Sequence, residues 1–417
     1  MRILAALLCA GLALSPAAGA LASEAEILLH EPVGQQVDGA QDQGSAPQLE
    51  AGQWVDELPT TGDDAALYYR LPQIADGERL HVSAQLVVDP SQQPTSQEST
   101  ELSAALVQAN GDWCDRGSNS TSRRNIDSLP LVALDSQPKK AEGYSRCLDQ
   151  NNDELHLSLQ RDGRWQDDAQ LPVQITVVVQ PALDPATLTG TTPGDLPPVS
   201  VTLDAEAQAV SGGSGFSTAA ELSSGAAYSD SVLPNEVKYY KVHVAQGQRL
   251  NYRMTVLDSP NASAKELVTG TYNPLLQEGI MTGTAKQELS ADDAGASLTR
   301  SLATTVSRDL QVDGSHPKLG YPGDYYITVA GTAYEPRGLN PLNFELAIEV
   351  TGEATGTDGW EPAAQAESGG TAAGSGSWLP GSAQLGALAG GAAVALAGYA
   401  GLWFWRRRAQ AAGKQRV

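Results

Sequence analysis

The chain has 417 residues, 49 acidic against 26 basic side chains, and a formal net charge of −23. That length allows two or three domains, and such acidity argues against a nucleic-acid partner, whose phosphates it repels. With 42 glycines, 24 prolines and 6% aromatic residues, this is a turn-rich chain of small side chains, neither collagen nor a wholly disordered tail.

The first element is a leader over residues 1–22. Met1-Arg2 is followed by the apolar run Ile3–Leu14, then Ser15-Pro16, and Ala20-Leu21-Ala22 offers a small-residue cleavage site before Ser23. One basic residue, a short apolar core and a small-residue exit predict a secretory signal peptide. Residues 23–45 are polar and are expected to be loosely ordered.

Residues 46–180 read as a first β-sandwich. Val173, Ile175 and Val177 alternate with Gln174 and Thr176, the period of a half-buried strand. Turns are written at Asp76-Gly77 and Asp162-Gly163. Removing Cys9 with the leader leaves Cys114 and Cys147, and an even pair in an exported chain predicts one disulfide. Trp113, Arg123 and Arg124 belong to this region, which is expected to be a polar insert pinned by the disulfide and able to present a binding surface.

Residues 181–199 form a Pro- and Gly-rich linker, and Val199–Leu203 is a candidate edge strand. Residues 200–352 read as a second sandwich, because they repeat the first. Leu67-Tyr68-Tyr69-Arg70-Leu71 and Gly77-Glu78-Arg79-Leu80 recur as Lys238-Tyr239-Tyr240-Lys241-Val242 and Gly247-Gln248-Arg249-Leu250, the two glycines 170 residues apart. Leu49-x-x-Gly52-x-Trp54-x-Asp56 pairs with Leu222-x-x-Gly225-x-x-Tyr228-x-Asp230. The strands Leu155–Leu159 and Val173–Val177 pair with Tyr325–Val329 and Phe344–Ile348. Matched segments in one order imply a duplicated module. In each Tyr-Tyr pair one ring should point inward and one to the rim. Ala285–Ser307 is left as a short helix or a long loop.

Residues 353–384 have a stalk composition of Gly, Ala, Ser and Glu. Leu385–Trp405 is 21 residues without a charge, and Arg406-Arg407-Arg408 follow it. That length matches the ~20 residues that span a bilayer core, and the arginines place the tail, 406–417, on the cytoplasmic side. The expectation is a single-pass plasma-membrane protein of type I orientation with an extracytoplasmic ectodomain. Arg2, Arg406, Arg407, Arg408, Lys414 and Arg416 lie outside that ectodomain and no acidic residue does, so it carries −29. The overall expectation is an all-β protein of two tandem antiparallel jelly-roll-like β-sandwiches plus one C-terminal transmembrane helix.

The second copy resembles the bacterial pre-peptidase C-terminal domain family in Phe216-Ser217-Thr218-Ala219, Leu222-x-x-Gly225, Lys238–Val242, Gly247-x-x-Leu250 and Pro322-Gly323-Asp324-Tyr325-Tyr326-Ile327-Thr328-Val329. The first copy keeps the Tyr-Tyr, Gly and terminal strands but has Asn151-Asn152-Asp153-Glu154 where the Pro-Gly turn would be. The resemblance implies a jelly-roll-like sandwich in an accessory or surface-binding role, as in membrane-anchored actinobacterial surface proteins.

No catalytic motif is present: the five histidines His30, His81, His156, His243 and His316 are scattered, with no G-x-S-x-G, H-E-x-x-H or P-loop. The one cofactor the sequence suggests is calcium, with Asp63 and Asp64, Asp149, Asn151 and Asp153, and Asn235 and Glu236 as its candidate ligands. The acidic run at Asp149 lacks the glycine and the bidentate glutamate that a calcium loop needs. Leu58-Pro59-Thr60-Thr61-Gly62 matches a sorting pentapeptide, but it lies far from a terminal span. These readings together describe a non-enzymatic binding or scaffolding ectodomain with an envelope protein or glycan as partner. The alternatives are an envelope enzyme or its accessory subunit with an undetected site, and a calcium-stiffened spacer.

Overall fold

The computed structural model describes residues 27–59, 66–89, 99–122, 129–143, 145–149, 152–163, 165, 170–203, 206–283, 288–333, 338–355 and 360–362. Among these residues nine strands build the first copy: β1 (Gln35–Gln36), β2 (Gly52–Leu58), β3 (Leu67–Arg70), β4 (Arg79–Leu86), β5 (Ser99–Gln108), β6 (Trp113–Ser122), β7 (Leu131–Asp135), β8 (Leu155–Gly163) and β9 (Leu171–Gln180). They form two sheets, ordered β1-β2-β9-β4-β7 and β3-β8-β5-β6. The core between the sheets gathers Leu58, Leu80, Val82, Val173 and Ile175 from one and Tyr69, Leu102, Leu106, Leu157 and Leu159 from the other. Sheet on sheet is the solution open to strands that are apolar on one face only.

The second copy contributes β10 (Gln208–Ala209), β11 (Ala220–Glu221), β12 (Ala226–Val232), β13 (Val237–Val244), β14 (Arg249–Val256), β15 (Glu266–Tyr272), β16 (Met281–Gly283), β17 (Glu288–Ser290), β18 (Ser297–Leu302), the one-turn helix α1 (Leu310–Asp313), β19 (Gly323–Thr332) and β20 (Leu342–Thr351). Its sheets run β10-β12-β20-β14-β18-β16 and β11-β13-β19-β15-β17. The first copy's order therefore recurs strand for strand, as β10-β12-β20-β14-β18 and β13-β19-β15-β17. Register repeats as well: β1 pairs in parallel with β2 through Gln35 and Trp54, and β10 with β12 through Gln208 and Tyr228.

One buried polar contact repeats with the strands. Asp56 Oδ2 accepts the Tyr69 hydroxyl at 2.8 Å and the Gly39 amide at 2.7 Å; Asp230 Oδ2 accepts the Tyr240 hydroxyl at 2.6 Å and the Gly212 amide at 2.7 Å. A side chain on Gly39 or Gly212 would meet the tyrosine ring at 2.8 Å, so both positions need glycine for close approach. Burial first, and the neighbouring carboxylate second, push both phenols well above their ordinary range.

Several expectations are corrected. The polar segment 23–45 is not loosely ordered over residues 35–45: they supply β1, the Gly39 contact and a 3-10 turn at Gln43–Ser45, matched by Phe216–Thr218. The segment between Cys114 and Cys147 is not an insert peculiar to the first copy, because it holds β6 and β7, the counterparts of β17 and β18. The disulfide itself forms, with a Cα–Cα distance of 5.0 Å. Within Ala285–Ser307 the described residues, 288–307, hold the strands β17 and β18 and no helix. Val199–Leu203 is not a strand; Val201 packs with Ala227 and Ala347 on the outer face of the β12–β20 sheet.

The copies also pack on each other. The outward side chains of β4 and β9, including His81, Ser83, Gln85, Gln174, Thr176 and Gln180, are buried. Gln180 donates to Gln311 Oε1 at 2.7 Å and Arg79 to the Tyr321 hydroxyl at 3.1 Å. Leu129 and Leu131 join a cluster with Phe216, Tyr239, Leu276 and Tyr326. Residues 27–33 run between the two: the Leu28 amide donates to Glu236 and the Val33 amide to Gln174. Tyr239 is consequently buried at this junction and not on a rim. The leader 1–22, the span 385–405 and the tail 406–417 lie outside the described residues, as does the stalk from residue 363. Among the described residues no helix is long and apolar enough to cross a membrane.

Candidate functional site

The duplicated sheets have four outward faces. That of β4 and β9 in the first copy and that of β13 and β19 in the second meet at the junction. The outer face of β12, β20 and β14 is overlaid by residues 196–203: Arg249 donates to the carbonyls of Leu196 and Pro197, and Arg253 to that of Val201 at 2.8 Å. The fourth face, on β3-β8-β5-β6, has no such cover among the described residues.

Its composition follows from strand alternation. Leu102, Ala104 and Leu106 of β5 point to the core, so Ser103 and Ala105 point out. Pairing aligns Ser103 with Gln160 and Ser118, and Ala105 with Ser158 and Arg116. Tyr68 lies opposite Ser158. These residues frame a shallow depression of about 420 Å³, lined by Ser103, Ala105, Arg116, Ser118, Ser158 and Gln160 among others.

At its edge Trp113 is 43% exposed. The Arg116 guanidinium lies 3.9 Å from the Trp113 ring centroid and that of Arg146 5.1 Å from it. Cations over an indole face are held by its quadrupole. The disulfide sits beside this cluster, since Cys114 follows Trp113 and Cys147 follows Arg146. Gln108 fixes the same corner by donating to the carbonyls of Arg146 and Cys147 at 2.9 and 2.7 Å. A bulge in the β5–β6 pairing between Leu106 and Val107 re-aims Trp113. The region was singled out in the sequence by Trp113 and the cysteines; Arg116 and Arg146 were missed, because nothing in their spacing brings both to one ring. Arg123 and Arg124 lie outside the described residues.

The calcium candidates are spread apart and largely engaged. Asp63, Asp64 and Asn151 lie outside the described residues. Asp149 accepts the Ser145 amide at 3.1 Å, and Asp153 is exposed. Asn235 has φ 66° and its Oδ1 accepts the Ala333 amide. Glu236 accepts the Leu233 and Leu28 amides and lies 3.3 Å from Lys238 Nζ. Among the described residues no group of three or more His, Cys, Asp and Glu is placed to hold a metal ion.

The histidines pair with amides and carboxylates: His81 with Gln180 at 2.8 Å, His156 with Glu154 at 3.5 Å, His243 with Asp324 at 3.3 Å and His316 with Asp195 at 2.6 Å. A notch of about 500 Å³ near β3 holds Glu50 and Glu154, but Glu154 is paired to Arg70 at 3.1 Å. A cavity of about 50 Å³ between the copies, lined by Leu28, His30, Gln85 and Tyr239 among others, has room for little more than a water or two.

No family model and no curated protein matches the sequence. Solved structures that align with it include the tandem CBM22-1-CBM22-2 domain of Paenibacillus barcinonensis Xyn10C, at 10% identity and a TM-score of 0.20 over 72% of this chain and 92% of that one. The Broad Bean Stain Virus structure aligns at 8% identity and a TM-score of 0.21 over 85% and 99%. The CUB1-EGF-CUB2 domain of human MASP-1/3 aligns at 8% identity and a TM-score of 0.16 over 70% and 99%. Likeness at this level assigns neither a family nor an activity.

Proposed function

We propose that this chain is a non-enzymatic binding or scaffolding protein of the cell envelope, and that it engages its partner through the open β3-β8-β5-β6 face of the first copy. The observation that carries the reading is the contrast between faces: among the described residues three are covered by the chain itself, and the fourth presents a depression lined by Arg116 and Gln160 among others, with Trp113 against Arg116 and Tyr68 on the adjoining strand. The secretory leader, the single apolar span and the basic tail complete the proposal as a type I surface protein. The copies then act as pre-peptidase C-terminal-like modules in an accessory role.

Two measurements test this. Fractionation of expressing cells should put the mature chain in the membrane fraction, released by detergent; recovery from the cytosol contradicts it. The full chain should capture an envelope component that the Trp113→Ala/Arg116→Ala double variant does not; equal capture by both removes the open face from the proposal. The spacer alternative predicts a higher melting temperature in calcium than in chelator.

A further inference from the structure

Resting on that reading, we infer that the occupant of the open face is the same face of a second molecule, joined to it about a two-fold axis. Pairing sets the outward side chains in rows across the strands. Tyr68, Ser158, Ala105 and Arg116 form the first row, Gln160, Ser103 and Ser118 the second, and Asp162, Glu101 and Ser120 the third. The cation therefore stands toward one end of the face and two carboxylates toward the other, roughly 13 Å apart along the strands at ~3.4 Å per residue. None of Arg116, Glu101 and Asp162 is in an ion pair among the described residues. Asp115 alternates to the other side of β6 and accepts the Asp135 amide at 2.8 Å.

A contact between identical surfaces needs a surface that complements itself. With the axis laid across the strands along the second row, the first row of each molecule meets the third row of the other. Glu101 and Asp162 then enter the other molecule's depression over Ala105 and Ser158, which Arg116 also lines. On the axis Ser103, Ser118 and Gln160 face their own counterparts, and hydroxyls and amides both donate and accept. An axis along the strands fails, because it sets Glu101 against Asp162. Opposed sheet faces with aligned strands are an ordinary way for sheets to pack.

The molecule already uses this kind of face once. By register, Tyr239, Thr328 and Gly270 of the second copy correspond to Tyr68, Ser158 and Ala105. There the first copy covers the face, and its Leu129 and Leu131 join Phe216, Tyr239 and Tyr326. Repeating that junction head to tail would need the β14–β20 face of another molecule, which residues 196–203 overlay. The two-fold contact meets no such obstacle among the described residues, and it closes at two molecules. Four strands about 4.8 Å apart present roughly 400–500 Å² a side, the small end of specific interfaces, so the dimer dissociates on dilution.

The test is sedimentation equilibrium of the full chain from about 1 µM to 1 mM. A reversible monomer–dimer equilibrium is expected. Arg116→Glu and Glu101→Arg should each weaken it about 10- to 100-fold, because like charges are then opposed. An equimolar mixture of the two variants should recover the wild-type affinity, since every cross-contact is again of opposite sign. A chain that is monomeric throughout, single variants that dimerise as the wild type does, or a mixture no better than its components overturns the inference. Should a reversed variant not fold, the wild type alone decides: a dimer that weakens with added salt supports the inference, and one indifferent to salt contradicts it. If the chain stays monomeric while envelope capture still depends on Trp113 and Arg116, the open face remains the binding surface and only its second-molecule occupant falls.

Discussion

Tyr69 and Tyr240 carry the same contact in the two copies, so each serves as a control for the other. Each hydroxyl donates to a carboxylate that also accepts a glycine amide. Removing a hydrogen bond to a charged group costs about 1.5–3 kcal/mol. Tyr69→Phe and Tyr240→Phe are therefore each expected to lower stability by about that amount in denaturant unfolding, and a neutral result would show the contact is incidental. Gly39→Ala should also destabilise, by about 1–3 kcal/mol, because the new methyl group meets the Tyr69 ring. Asp56 and Asp230 were legible as matched positions of the repeat. Their bond to the tyrosine was not, since strand alternation says which way a ring points and not what its hydroxyl reaches.

At the scale of elements, the strands with clean alternation were readable: β9 and β20 place Val173, Ile175 and Val177, and Phe344, Leu346 and Ile348, inward. Strand β6, Trp113-Cys114-Asp115-Arg116-Gly117-Ser118-Asn119-Ser120-Thr121-Ser122, was not. It is an edge strand whose outward side chains are polar and whose inward ones are small, so Ser, Asn and Gly spell a loop while pairing with β5 makes a strand. Gly117 shows why: a side chain there would meet Val132 at 3.0 Å. The Cys114–Cys147 bridge ties this edge down. Replacing both cysteines by serine should cost about 4 kcal/mol on the chain-entropy account and speed amide exchange across β6. Unchanged exchange there would mean that the pairing with β5 alone holds this edge.

The junction between copies was hidden from the sequence at the scale of the whole molecule. Ser83, Gln85, Gln174 and Thr176 read as a solvent face; they are buried because residues 27–33 and the second copy replace water there. His81 and His30 lie in that junction, and burial lowers the pKa of both below the usual 6.5. For His81, Asp135 pulls the other way and Arg79 adds to the lowering. A histidine with a depressed folded pKa takes up its proton more readily when freed, so its contribution is complete above about pH 6.5 and is lost as pH falls below it. The melting temperature should therefore drop between pH 7.5 and 5, and His81→Asn should flatten that drop. An unaltered slope would exclude His81 as its source.

The proposed working surface of the molecule is the first copy's β3-β8-β5-β6 sheet, whose outer face has no cover among the described residues. Hydrogen exchange of the full chain, with and without envelope material, reads that directly. Protection is predicted over β5, β6 and β8, at Ser99–Gln108, Trp113–Ser122 and Leu155–Gly163. Protection confined to strands of the second copy, or absent from the first, would contradict it.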